Sequence, residues 1–128
     1  MPILALAFAA GTLAMSTDLV GSAWRPSLIH AHSVPAEERV YITFKDDGRV
    51  FGNGGCNHFF SVYATDGNTI KIGPIASTKK GCPGKYELET SFFSVLESAK
   101  TYELHETTLV LFNGYGQPIA ELIKTDNA

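Results

Sequence analysis

Few side chains in this sequence could do chemistry. Cys56 lies two residues from His58, so a thiol nucleophile with an adjacent base is the first reading to weigh. An acyl-transfer centre needs an oriented base and an oxyanion hole beside its nucleophile. Gly52, Gly54 and Gly55 interrupt the strand there, so positions 56 and 58 need not share a face. A structural cysteine beside a glycine bulge is the expected reading, since unreactive cysteines are usually buried. His30 and His32, with His58 or His105, could offer imidazoles to a metal. No carboxylate or third ligand follows at a metal-site spacing, so no metal and no cofactor are expected. Asp46-Asp47 precedes Gly48 and reads as a turn, which selects Asp. Glu87 and Glu89 point apart on a helix and lie where negative charge complements the helix dipole. No catalytic residue emerges, and the chain is not expected to be an enzyme. The alternative is a thiol-dependent hydrolase or other enzyme using Cys56.

Cys56 and Cys82 are the only cysteines. They are not a C-x-x-C pair, and a zinc site would draw on more thiols or a spaced histidine pair. One disulfide, two buried thiols and chance are all compatible with the count, and export would favour the first. Residues 1–17 bear on export. They carry no charge before Asp18 and are rich in Ala and Leu, like the apolar region of a signal peptide, though the basic n-region is missing. The rival is a buried first helix or strand. Gly11 and Thr12 break the segment, and it is too short for a membrane span. The organisation expected is thus a candidate signal or leader segment at 1–17 and one domain at 18–128.

The composition suits one globular domain of 128 residues, with 45% hydrophobic and 18% charged residues. The net charge of −3 argues against nucleic acid, which needs a clustered basic surface. Lys79-Lys80 reads as a solvated loop.

The elements are mostly strands. Residues 22–29 could form a first strand, with Pro26 favouring an edge. His30 to Arg39 reads as loop. In Val40-Tyr41-Ile42-Thr43-Phe44, Val40, Ile42 and Phe44 share one face. Asp46-Asp47-Gly48 turns the chain into Arg49-Val50-Phe51-Gly52. His58 to Tyr63 and Thr69 to Ile72 form a further hairpin around Asp66-Gly67-Asn68, and a short strand follows at 75–77. Leu88, Phe92, Val95, Leu96 and Ala99 recur at helical spacing, which predicts one helix over residues 85–100. Strands follow at 102–105, at 107–112, expected to be central, and at 118–123. This order predicts an α+β domain, a twisted or barrel-like, mainly antiparallel sheet with one main helix. The expected core is Trp24, Phe44, Phe51, Leu88, Phe92, Leu96, Leu109 and Leu111. Phe59, Phe60, Tyr63, Phe92 and Phe93 could line an apolar groove, with core packing as their default.

One combination is distinctive. Trp24 is followed by Phe44-x-x-x-Gly48-Arg49, then Gly54-Gly55-Cys56-Asn57, then Thr78-x-x-x-Cys82, then a helix bearing Glu89, Phe92 and Leu96. This resembles the META domain family of HslJ-like heat-shock and envelope proteins, over roughly residues 18–123. The chain departs from it at Lys80-Gly81, where many members carry Met-Ala, and at His58. The resemblance implies a domain that is exported to the periplasm or attached to the cell envelope. It also implies links to stress, drug tolerance or motility, and a fold like that of small pilot proteins that bind lipid tails. It supplies no catalytic set. The expectation is a non-enzymatic binding or stress-related accessory module, taking a protein or an apolar ligand. It would be a monomer, with membrane association open but no span and no nucleic acid.

Two placements follow. Asn57, directly after the cysteine, is expected to satisfy backbone groups at the bulge. Cys56 and Cys82 both stand at glycine-rich breaks at strand ends, and the hairpin between them returns the chain. They are expected to be neighbours, disulfide-bonded in the exported protein, whereas a cytoplasmic protein would keep adjacent thiols.

Overall fold

The computed structural model describes residues 19–126, and the candidate leader at 1–17 lies outside the described residues. The strands are β1 (Ser22–Ile29), β2 (His32–Ser33), β3 (Val40–Phe44), β4 (Arg49–Gly54), β5 (His58–Asp66), β6 (Thr69–Ile72) and β7 (Ala76–Ser77). The helix α1 (Tyr86–Ser98) follows, and then β8 (Thr101–His105), β9 (Thr108–Phe112) and β10 (Pro118–Thr125). Among the described residues all strand pairings are antiparallel; most arise from hairpins, while β1–β10 and β6–β8 join strands far apart in sequence. The order runs β10-β9-β8-β6-β5-β4-β3-β1, and β10 pairs back onto β1. The sheet therefore closes into an eight-stranded barrel. Closure removes the long unpaired edges that an open sheet would expose. Among the described residues the architecture is a mainly β barrel with a single helix, so α+β describes it only loosely.

The period-2 pattern fills the barrel. Val40, Ile42 and Phe44 point inward while Tyr41 and Thr43 do not. Leu109 and Leu111 do the same on β9. That strand has neighbours on both sides, yet only one of its faces is buried. The apolar run at 107–112 marks position in the sheet, not burial on two faces. Pro26 is not on an edge, because β1 pairs with β10 along its length. On its other side β1 pairs with β3 up to Trp24 and with β2 from Leu28. Pro26 occupies the gap between those partners, beside a register shift, where a missing N–H is tolerated. The same pairing makes a short strand of His32–Ser33, inside a stretch that reads as loop.

The helix starts one residue later and ends two earlier than the periodicity suggests, with Lys85 as N-cap and Ala99 already extended. It stops because the Lys100 N–H donates to the Phe112 carbonyl at 2.8 Å, drawing the chain into the sheet. Phe92, Val95, Leu96 and Ala99 are buried, as their spacing predicts. The helix meets β1, β4, β6 and β9, strands from around the barrel, so it lies across one open end and plugs it. Trp24, Phe44, Phe92, Leu96, Leu109 and Leu111 are in the core. Phe51 and Leu88 are only partly buried. Phe51 alternates with buried Val50 and so faces outward, while Leu88, in the first helical turn, packs at the rim of the core.

Candidate functional site

The glycines at the end of β4 exist for close approach. A Cβ on Gly52 would collide with the Tyr41 carbonyl and the Phe59 ring. A Cβ on Gly54 would lie 2.6 Å from Glu89 Cγ and 2.8 Å from the Phe93 ring. The helix can therefore come down onto bare backbone. Gly55 has φ 114°, a conformation L side chains rarely adopt, and its N–H donates to Asn53 Oδ1 at 2.7 Å. That bend aims the next two N–H groups at the helix.

Glu89 receives them. Its Oε1 accepts from the Cys56 N–H at 3.1 Å and the Asn57 N–H at 2.6 Å, and its Oε2 accepts from Asn57 Nδ2 at 2.7 Å. Bonds to a carboxylate are among the stronger neutral-to-charged kind. The other half of the Asn57 amide ties in the chain before the helix. Its Oδ1 accepts from Thr78 Oγ1 at 2.8 Å and from the Lys80 N–H at 2.7 Å, and its Nδ2 also donates to the Lys80 carbonyl at 3.2 Å. A primary amide has two donor hydrogens and two acceptor positions, and Asn57 uses all of them. Cys56 and Cys82 are joined by a disulfide with Cα atoms 5.9 Å apart. The motif residues Gly54, Gly55, Cys56, Asn57, Thr78 and Cys82 thus meet at one corner, where the β4–β5 turn, the loop after β7 and α1 come together.

Glu89 lies in the first helical turn, where its charge complements the dipole, but its role as the hub of this corner is one that the sequence reading misses. A signal existed: Glu89 stands three residues before Phe92 and so borders the buried stripe. Glu97, two turns on, repeats the device, with Oε2 accepting from the Ile75 N–H at 2.8 Å.

The remaining candidates disperse. His58 is exposed on the outer wall. His30 and His32 are exposed and share a groove of about 290 Å³ with Glu87 and Leu88. No group of three potential metal ligands occurs among the described residues. His105 pairs with Glu103 at 2.9 Å, in solvent. Lys79 and Lys80 are exposed, and Lys85 pairs with Glu38 at 2.7 Å. In the β3–β4 turn, Asp47 accepts from the Arg49 N–H at 3.1 Å and from Arg49 Nε at 2.8 Å. The backbone bond from Arg49, more than the guanidinium, holds its carboxyl below the ordinary value. Tyr63 donates to the Lys45 carbonyl at 3.1 Å, and partial burial, with Asp46 and Asp47 nearby, pushes its phenol up.

The outer wall carries a second feature. Register places Thr43, Phe51 and Phe60 side by side across β3, β4 and β5. The next outward row is Lys45, Arg49 and Val62, since Lys45 pairs with Arg49 and Arg49 with Val62. Phe60 is 58% exposed and Val62 54%. Of the aromatics that could line a groove, Phe59 and Phe92 are core, Tyr63 and Phe93 pack against it, and Phe60 stands outside.

The chain is similar in fold to several solved structures. An NMR structure of a protein from Burkholderia xenovorans has a TM-score of 0.70 and 20% identity, over 89% of this chain and 88% of that one. A crystal structure of a DUF4847 family protein from Bacteroides vulgatus ATCC 8482 has a TM-score of 0.62 and 16% identity, over 85% of this chain and 96% of that one. No curated protein matches the chain. The model of the META domain matches residues 17–125, which span the barrel, the helix and the corner built by Cys56, Asn57 and Cys82. This chain belongs to the META domain family.

Proposed function

We propose that this domain is a non-enzymatic binding or accessory module of the bacterial cell envelope, exported to the periplasm or attached to the envelope. Its occupant would be a protein or an apolar ligand, and a stress-related role belongs to the same proposal. The carrying observation is that the motif corner is spent on itself. The sulfur of Cys56 is bonded to Cys82, and the polar atoms of Asn57 and Glu89 are taken up by neighbouring backbone and side chains. A thiol enzyme would need Cys56 reduced and a base directed at it, whereas His58 belongs to the outer wall. A disulfide also suits an oxidising compartment better than the cytoplasm.

The test is an assay of oxidised and reduced protein against chromogenic esters and short peptides. No turnover is expected in either state. Turnover that disappears in Cys56→Ser would overturn the non-enzymatic reading. The compartment is tested by the mass of the protein isolated from envelope fractions. A shortened chain, lighter by the two thiol hydrogens, is expected, and a full-length reduced chain in the cytoplasm would refute export.

A further inference from the structure

We propose that the outer wall of β3, β4 and β5 docks an apolar–acidic segment of a partner protein. Apolar side chains of the segment would lie over Phe51, Phe60 and Val62, and its carboxylate would meet Lys45 and Arg49. This rests on the binding-module reading and names the surface and the chemistry it takes.

Outward positions of an antiparallel wall facing water are ordinarily polar. Here two exposed side chains of β5, Phe60 and Val62, are large and apolar, and Phe51 lies directly opposite Phe60. Between them runs a shallow groove of about 240 Å³. Its lining includes Lys45 and Arg49 and no carboxylate, on a protein whose net charge is −3. The Lys45 ammonium stands over the Phe51 ring, 5.7 Å from its centroid, which keeps the cation against the apolar patch. Arg49 does pair with Asp47, but both groups are largely exposed, and such pairs are worth little and exchange readily. The wall thus offers apolar area with positive charge directly beside it.

Three alternatives fit less well. Ligand pockets that bury a small molecule are enclosed and typically ~300–1,000 Å³. This groove is smaller and open, so a free fatty acid would leave most of its chain wet. A flat anionic membrane would meet Asp46 and Asp47 at the turn together with the two cations. A narrow segment with a carboxylate next to apolar residues meets only the groove. Strand addition is closed off, since β4 already pairs on both sides, with β3 and β5. Recognition must therefore run through side chains.

The test is a titration of the isotope-labelled, oxidised full chain by NMR with a soluble peptide carrying Leu-Phe-Glu-Glu between Gly-Ser flanks. Two control peptides replace Glu-Glu by Lys-Lys and Leu-Phe by Ser-Ser. Amide shifts are expected within residues 43–51 and 58–62, with a Kd near ~1 mM for so short a probe. Each control peptide, and each of Phe60→Ser and Lys45→Glu, should weaken binding by roughly tenfold. Both substituted side chains face outward, so the unperturbed spectrum of each variant shows that the barrel is intact. Shifts confined to another face would overturn the wall while leaving the binding-module reading in place. No shift at the solubility limit, or equal binding of the Lys-Lys peptide, would overturn the proposal. So would the same shifts produced by phosphatidylglycerol vesicles alone, or by raising protein concentration without peptide. Failure of the parent reading is seen separately, as Cys56-dependent turnover in the substrate assay.

Discussion

The barrel is closed in two places by very different means. At the helix end, the β4–β5 turn, the loop after β7 and α1 are held by a disulfide and by the hydrogen bonds that converge on Asn57 and Glu89. At the seam between β6 and β8, the register contains a single residue pair, Thr69 with Thr101. Two backbone bonds extend it, from Ile70 N–H to the Lys100 carbonyl at 3.0 Å and from Tyr102 N–H to the Asn68 carbonyl at 2.9 Å. A groove of about 480 Å³ runs beside it, lined by Ala64, Thr65, Ile70 and Lys100 among others. The difference follows from connectivity. Strands β5 and β6 are a hairpin, but β6 and β8 are separated by β7 and the whole helix. The β5–β6 hairpin is short, so its tip reaches only the start of β8. The chain compensates at the other end, where the crossover begins, by fixing the loop that leads into α1.

The largest expected effect comes from opening the rim covalently. The loop closed by Cys56 and Cys82 spans 26 positions. In the chain-entropy view its closure contributes about 3.5 kcal/mol. Cys56→Ala with Cys82→Ala should lower the unfolding free energy by about that amount in urea denaturation, and reductant should do the same to the natural chain. A loss below ~1 kcal/mol would mean that the polar corner, not the disulfide, ties the rim, and the comparison would need to be recast around Glu89.

Glu89 comes next. Glu89→Ala strips the acceptor from two backbone N–H groups and from the Asn57 amide, in a corner where Asn57 is 5% exposed. Leaving buried donors unpaired costs ~1–3 kcal/mol. Glu89→Gln keeps an oxygen for part of the network and should cost less. Equal losses for the two variants in parallel denaturation curves would show that packing of the side chain against Gly54, and not the hydrogen bonds, is what matters.

The rim was far more legible in sequence than the seam, and the reason is physical. Cys56, Asn57, Gly54 and Gly55 are residue types whose chemistry is narrow, so their types and spacing indicated a bulge, a close backbone approach and a cysteine pairing. The strands of β3 and β9 and the buried face of α1 were legible from period alone. Phe51 and Phe60 were not, because two outward aromatics on paired strands have the same composition as core. Glu89 was half legible: its position beside the apolar stripe was visible, but the N–H groups it serves come from a segment 32 to 33 positions away. The break between strands at 105 and 107 was legible, but not the residue that turns it, since Glu106 takes φ 58° without being Gly or Asn. The seam is made of main chain, which every residue shares, so no side-chain pattern could reveal it.

That last property gives the smallest and most discriminating effect. Thr69 is exposed and Thr101 half-buried, and neither side chain carries the seam's pairing, which runs through the Ile70 and Tyr102 amides. Thr69→Ser and Thr101→Ser should therefore change stability by no more than about 0.5 kcal/mol. The amides themselves should report the weakness. Segments held by few hydrogen bonds open locally at a free energy below that of global unfolding. In native-state hydrogen exchange, Ile70 and Tyr102 are expected to exchange by such an opening, while Cys56 and Asn57, held under Glu89 next to the disulfide, exchange only near the global limit. Reduction of the disulfide should bring the rim amides down toward the seam amides and leave the seam amides nearly where they were relative to global unfolding. If Ile70 and Tyr102 are instead as protected as Asn57 in the oxidised protein, the single-pair seam is as firm as the rim. The packing of Ile70 and Tyr102 into the core, where they are 4% and 0% exposed, would then be what closes the barrel there.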